Sequence, residues 1–247
     1  MLTVDADSGR LGQLKACEVA LQDLDINLPV FSNYDLTSSE FADLVKEQLP
    51  YLHADQILKE PQRRNTAPCI AYAAYKIGKK HPKAKLIVAP ADHVILKEDA
   101  FISRIKEALD AASESHLVTL GIVPTRPDTG YGYIQYQPSG EIAKVVKTFT
   151  EKPTEEIAQT FVDSGEFLWN AGIFAWKVST ILTAFEKNQP EMYELFDQEK
   201  QHFNTPEEAK AIQKIYPQCT NISIDIAIME KADNVFVIPS SFGWSDL

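Results

Sequence analysis

Short continuous apolar runs alternate along this chain with amphipathic stretches, the pattern that predicts buried strands and surface helices in turn. Residues 11–25 read as a helix, and Leu28 to Phe31 read as a short strand entering a loop at Ser32 and Asn33. A helix follows from a cap at Ser38 or Ser39, with Phe41, Leu44, Val45 and Leu49 on one face at helical spacing. A strand near Gln56 to Leu58 leads through the loop EPQRRNTAP into a helix AYAAYKIGKKH, whose small residues suit close packing on a sheet.

The run KLIVAPADHVI opens as an uninterrupted apolar strand, as expected of a central strand covered on both faces, and ends in a polar Asp-His pair. A helix around Ala100 to Ser113 precedes a second buried-strand pattern, LVTLGIVP, and the Gly-containing turn TGYGYIQY enters a further strand or hairpin. KVVKTFTEKP, a helix EEIAQTFVDSG, the strand LWNAGIFAWK and a helical stretch to Phe196 continue the alternation. The order indicates an α/β sheet. No repeat, low-complexity tract or linker interrupts it, so a single domain over residues 1–247 is expected.

Composition narrows the partners. A formal charge of -11 and no long run of Lys and Arg exclude the basic stripe of a nucleic-acid binder. An anionic small molecule remains compatible, because a few cations, backbone N–H groups or a divalent metal can converge locally. Cys17, Cys69 and Cys219 are odd in number and widely spaced, which matches neither a disulfide framework nor a zinc site and favours a reducing cytoplasm. No apolar run approaches the roughly 20 residues of a membrane span, and no signal region opens the chain, so a soluble cytoplasmic protein is expected.

Several positions carry candidate chemistry. Arg64, Asn65 and Thr66 stand just ahead of a helix, where they could face an anion or a base edge, or simply cap the helix. Asp92, just past an apolar strand, is well placed to bind Mg²⁺; His93 beside it reads as a hydrogen-bonded structural residue, since Mg²⁺ prefers oxygen. Gly132, in DTGYGYI, either lets a ligand approach the backbone or makes a tight turn. Glu151 and Lys152 could accept from sugar hydroxyls and meet a phosphate, or form a surface turn. Asn170 sits in an apolar, aromatic run, where its amide costs roughly 1–3 kcal/mol unless the backbone or a ligand satisfies it. Trp169, Phe174 and Trp176 read as core. Asp246, after a strand and a Gly-Trp turn, offers a second carboxylate to a metal.

Taken in order, EPQRRNTAPCIAYAAY, VAPADHVI, TLGIVPTRPDTGYGYI, TFTEKP, FLWNAGIF, SIDIAIMEKADNVFVIP and FGWSDL resemble the successive blocks of mannose-1-phosphate guanylyltransferases, over about Phe31 to Leu247. The resemblance implies a Rossmann-like, glycosyltransferase-A-like nucleotidyltransferase fold with a mixed, mostly parallel central sheet flanked by helices. It implies direct transfer of GMP from GTP to mannose 1-phosphate, with release of pyrophosphate and no covalent enzyme intermediate. By position in the blocks, Asp92 and Asp246 would hold Mg²⁺, Lys152 would meet the sugar phosphate, Glu151 and Asn170 would bind mannose hydroxyls, Gly132 would let the sugar approach, and Arg64, Asn65 and Thr66 would lie along the guanosine. A homo-oligomer is compatible with this reading.

One family block has no counterpart. Members open with an apolar strand and a Gly-Gly-x-Gly-x-Arg loop, followed by a Pro-Lys pair, which together hold the triphosphate. Here residues 1–30 form an atypical segment that offers only SGRLGQLK, Ser8 to Lys15, without a preceding apolar strand or the spacing. Three readings therefore stay open: the guanylyltransferase, a non-catalytic relative that binds a nucleotide sugar or acts as a regulatory subunit, and a nucleotidyltransferase for another sugar or base.

Overall fold

The computed structural model describes residues 2–4 and 33–246. The helix expected over 11–25, the strand over 28–31, the Ser8 to Lys15 segment and Cys17 lie outside the described residues.

Strands and helices alternate, beginning with β1 (Leu2–Val4), β2 (Tyr34–Ser38), α1 (Ala42–Gln48), β3 (Ile57–Glu60), α2 (Thr66–Lys80), β4 (Lys85–Pro90), β5 (His93–Ile95) and α3 (Glu98–Ala111). They continue with β6 (Leu117–Ile122), β7 (Tyr133–Tyr136), β8 (Lys144–Thr150), α4 (Glu155–Ser164), β9 (Phe167–Lys177), α5 (Val178–Asn188), α6 (Pro190–Gln198) and α7 (Glu208–Ile215). A single π-helical turn, Asp225–Met229, precedes β10 (Val235–Ser240) and β11 (Trp244–Asp246).

The described strands form a nine-stranded sheet in the order β3-β2-β1-β4-β9-β6-β10-β8-β7, plus a separate pair, β11-β5. Parallel pairing joins β3, β2, β1 and β4, and joins β6 to β10. β9 runs antiparallel between β4 and β6, and β8 antiparallel to β10 and β7. Only β8 and β9 therefore run against the others in this sheet, which makes it mixed and mostly parallel, as expected.

Burial on both faces explains the continuous apolar runs. Along β4, Leu86 and Val88 pack with α2, α5 and the aromatic group Phe185, Phe196, Phe203 and Tyr216, whereas Ile87 and Ala89 pack with Phe101, Ile105 and Phe242 on the other side. β9 divides in the same way: Phe174 and Trp176 face the first cluster, Ile173 and Ala175 the second. A period of 2 thus underlies a run that looks apolar throughout. Trp169, Phe174 and Trp176 are core, at 4%, 3% and 0% exposure.

Three expectations change. β1 is a parallel strand inside the sheet, between β2 and β4, so an N-terminal strand does precede Ser8 to Lys15; three residues are too few to show periodicity. Ser38 ends a strand rather than capping a helix, and α1 begins after Phe41 without a side-chain cap. On α1, Val45 and the adjoining Leu49 are buried, but Leu44 is exposed because a helix this short buries only a narrow stripe. No helix among the described residues is long and apolar enough to cross a membrane.

Candidate active site

The polar ends of β4 and β9 and the small β5–β11 pair build the site. Antiparallel pairing sets Asp246 opposite His93, beside Asp92. Ligand atoms of Asp92, His93 and Asp246 all lie within 4.8 Å of one another. The group suits a hard cation, because both carboxylates remain accessible while the imidazole is buried. The Trp244 indole N–H donates to His93 Nδ1 at 3.0 Å, so a neutral ring carries its proton on Nε2, which faces Asp92 Oδ1 at 3.9 Å. Burial pushes the imidazole pKa down, against the pull of Asp92 and Asp246. His93 therefore has both a structural bond and a place at the carboxylate corner, and a ring in this tautomer has no lone pair to give a metal on the Asp92 side.

A second group gathers at the kink of β9. The pairing of β9 with β6 shifts register between Thr119 and Gly121, and Gly172, at φ +64°, occupies the bulge. Asn170, paired with Gly121, is the last regular ladder position before the bulge. Its Oδ1 accepts from Gly172 N at 3.1 Å and Thr119 Oγ1 at 3.2 Å, and its Nδ2 donates to Asp225 Oδ1 at 2.7 Å. Protein groups thus satisfy the amide that the apolar run seemed to strand.

Gly132 lies against this group. A Cβ there would come within 2.6 Å of Glu151 Oε2 and 3.5 Å of Asn170 Cβ, and Asn170 N donates to Gly132 O at 2.8 Å. Burial, with Asp225 and Glu230 nearby, raises the Glu151 pKa, while Lys152 opposes the rise. Lys152 holds φ at +43°, a region that costs a non-glycine residue roughly 1–3 kcal/mol and that the following Pro153 restricts further. Its ammonium is exposed, 4.0 Å from Glu151 Oε1. Asp128 shapes the preceding turn by accepting from Gly130 N at 2.9 Å, and Tyr131 packs edge-on against both Trp169 and Trp244, linking this group to the carboxylate corner.

A cleft of ≈ 160 Å³ runs from Asp92 to Asp225: Asp92, Gly172, Asp225 and Thr66 line it, over Val88, Pro90 and Phe174. The Arg64 to Thr66 segment is tied down at its edge. Asn65 caps α2, accepting from Thr66 N at 2.8 Å; Thr66 Oγ1 accepts from Ile224 N at 2.8 Å; and the Arg64 guanidinium donates to Pro217 O and Gln62. Capping and anchoring are thus what these residues visibly do, and only Thr66 of the three lines the cleft.

Of the residues expected at a site, the structure brings Asp92 to Asp246, and Gly132 and Glu151 to Asn170. Sequence reasoning missed Asp225 and set His93 aside. Asp225 carried the same signal as Asn170, a polar side chain inside an apolar run, but SIDIAIM reads equally well as an amphipathic turn.

Comparison with known proteins agrees with this architecture. The nucleotidyl transferase family model matches residues 19–247, and the chain belongs to that family. Among curated proteins it is 37% identical, over 97% of its length, to mannose-1-phosphate guanylyltransferase RfbM of Salmonella typhimurium, and 37% identical, over 83%, to mannose-1-phosphate guanylyltransferase of Escherichia coli K12. It spans about half of each relative, 50% and 45%. A solved structure described as mannose-1-phosphate geranyltransferase from Thermus thermophilus superposes with a TM-score of 0.86 at 26% identity, covering 99% of this chain and 75% of that one.

Proposed function

We propose that this chain transfers GMP from GTP to mannose 1-phosphate, giving GDP-mannose and pyrophosphate. The observation that carries the proposal is a cleft lined by Asp92 of the carboxylate corner and by Asp225, the partner of the Asn170 amide, in a family that transfers nucleotidyl groups. The names of the relatives supply the choice of mannose and guanine.

A phosphate oxygen of mannose 1-phosphate attacks the α-phosphorus of GTP in line, a new P–O bond forms, and the bond to the β-phosphate breaks to release pyrophosphate. The attacking oxygen is already ionised at neutral pH, so alignment and charge neutralisation do most of the catalysis. Asp92 and Asp246 would hold Mg²⁺, which when bound neutralises phosphate oxygens and orients them. Lys152 meets the sugar phosphate. Glu151 and Asn170 take the sugar hydroxyls across the bare backbone of Gly132, and the Arg64 to Thr66 segment borders the guanosine.

Pyrophosphate release from GTP, Mg²⁺ and mannose 1-phosphate tests this, with ATP and glucose 1-phosphate as controls. Turnover selective for the first pair is expected. No turnover, with GDP-mannose still binding, would favour a non-catalytic relative.

A further inference from the structure

The cleft's two edges meet in a polar chain whose middle member, Asp225, has none of the assigned roles. Asp225 opens the π-helical turn, where Glu230 N closes back onto Asp225 O at 2.9 Å, and such turns are frequent at functional sites. Its side chain is partly buried, lines the cleft, and takes the Asn170 Nδ2 hydrogen at 2.7 Å. One residue earlier, Ile224 N donates to Thr66 Oγ1, and on either side of that bond Ala67 N donates to Ile222 O while Ile222 N donates to Arg64 O. Three bonds therefore bind the segment that carries Asp225 to the start of α2.

The Asn170 amide has little freedom left. Its oxygen accepts twice from the protein, so it can only donate to a ligand, through the second Nδ2 hydrogen. Asp225 decides where that hydrogen points, and its own second oxygen adds an acceptor beside it. A donor and an acceptor at fixed separation suit two neighbouring hydroxyls of a sugar.

We propose that Asp225 is a positioning and specificity residue of the sugar side, orienting the Asn170 amide, and that Thr66 holds Asp225 in place. The proposal rests on the functional reading above, but its test separates the two.

KM and kcat are measured for mannose 1-phosphate, glucose 1-phosphate and GTP in the wild type, Asp225→Ala, Asp225→Asn, Asn170→Ala, the Asp225→Ala/Asn170→Ala double variant and Thr66→Val, together with calorimetric binding of mannose 1-phosphate. Asp225→Ala is expected to raise KM for mannose 1-phosphate about ten- to a hundredfold, the usual effect of losing a hydrogen bond to a charged group, with kcat and the KM for GTP unchanged. The preference for mannose over glucose 1-phosphate should fall with it. Asp225→Asn keeps an acceptor for Asn170 and should recover part of the loss. Thr66→Val should move the sugar KM in the same direction by less. In the double variant the loss should fall well short of the sum of the two single losses, because Asp225 acts in part through Asn170.

Additive effects of Asp225 and Asn170, or an unchanged sugar preference in both Asp225 variants, overturn the proposal while leaving the guanylyltransferase reading intact. If Asp225→Ala fails to fold, Asp225→Asn and Thr66→Val decide by the same ratio. A wild-type chain that neither turns over nor binds mannose 1-phosphate overturns both.

Discussion

Gly132 shows how much one missing methyl decides. A Cβ at this position would meet the far end of the Glu151 side chain at 2.6 Å, which can swing aside, rather than backbone, which cannot. Gly132→Ala should therefore leave thermal stability nearly unchanged while raising KM for mannose 1-phosphate, because the displaced carboxylate no longer faces the sugar; thermal melts and initial rates on one preparation check both halves. The carboxylate corner predicts the same division in a sharper form. Asp92→Asn keeps the shape of the side chain but removes half of the charge pair, so metal-dependent pyrophosphate release should be abolished with the melting temperature preserved. Retained turnover in that variant would remove Asp92 from the site. Asp92 and Asn170 stood out as polar groups at the end of or inside apolar runs, whereas Gly132, Glu151 and Asp246 were marked as candidates chiefly by their place in the family's blocks. Asp225 was not, because a carboxylate on the exposed side of an amphipathic turn looks the same in one dimension as a carboxylate in a cleft.

Among the elements, α2 bears the most consequential contacts. Lys76 Nζ lies 2.7 Å from Glu208 Oε1, with 6% and 12% of the two side chains exposed, and Glu208 also accepts from Tyr72 OH at 2.5 Å and Asn204 N at 2.6 Å. This network pins the start of α7 to α2 beneath the aromatic group of Tyr72, Phe203 and Tyr216. Removing one partner of a buried pair leaves the other charge unpaired, so Glu208→Ala should destabilise the fold by roughly 3–5 kcal/mol in urea denaturation. A loss below about 1 kcal/mol would mean the pair behaves like an exposed surface bridge. Helix boundaries were only partly readable. α2 starts at Thr66, five residues before the predicted AYAAYKIGKKH, because Asn65 caps it with a left-handed backbone (φ 64°) that no apolar periodicity announces.

At the scale of the molecule, one partly buried carboxyl should leave a mark on stability against pH. Burial raises the Glu60 pKa from 4.5 to about 7, and the neighbouring Cys69 thiol and Tyr216 hydroxyl only partly oppose the rise. The folded protein then holds a proton that the unfolded chain has released, so this group's stabilising contribution, full below about 4.5, declines as pH rises to about 7 and is flat beyond. Glu60→Gln mimics the protonated form. The variant should match the wild type near pH 4.5 and exceed it in stability above pH 7, as read from denaturation midpoints across that range; parallel curves would show that Glu60 does not titrate in this way.

The α/β alternation, the two-faced burial of the central strands and the order of the polar blocks all follow from the amino-acid order alone, because they depend on periodicities of 2 and 3.6 within single elements. Asp92 and Asn170 were marked there too, as polar groups against apolar runs, and the other candidates by their place in the family's blocks. Three-dimensional packing was needed to show that β1 lies between β2 and β4, that β9 runs against its neighbours and bulges at Gly172, and that Asn170 meets Asp225. These depend on contacts between residues far apart in the chain, 55 positions in the case of Asn170 and Asp225. Hydrogen bonds and packing across such separations leave no repeating trace along the sequence.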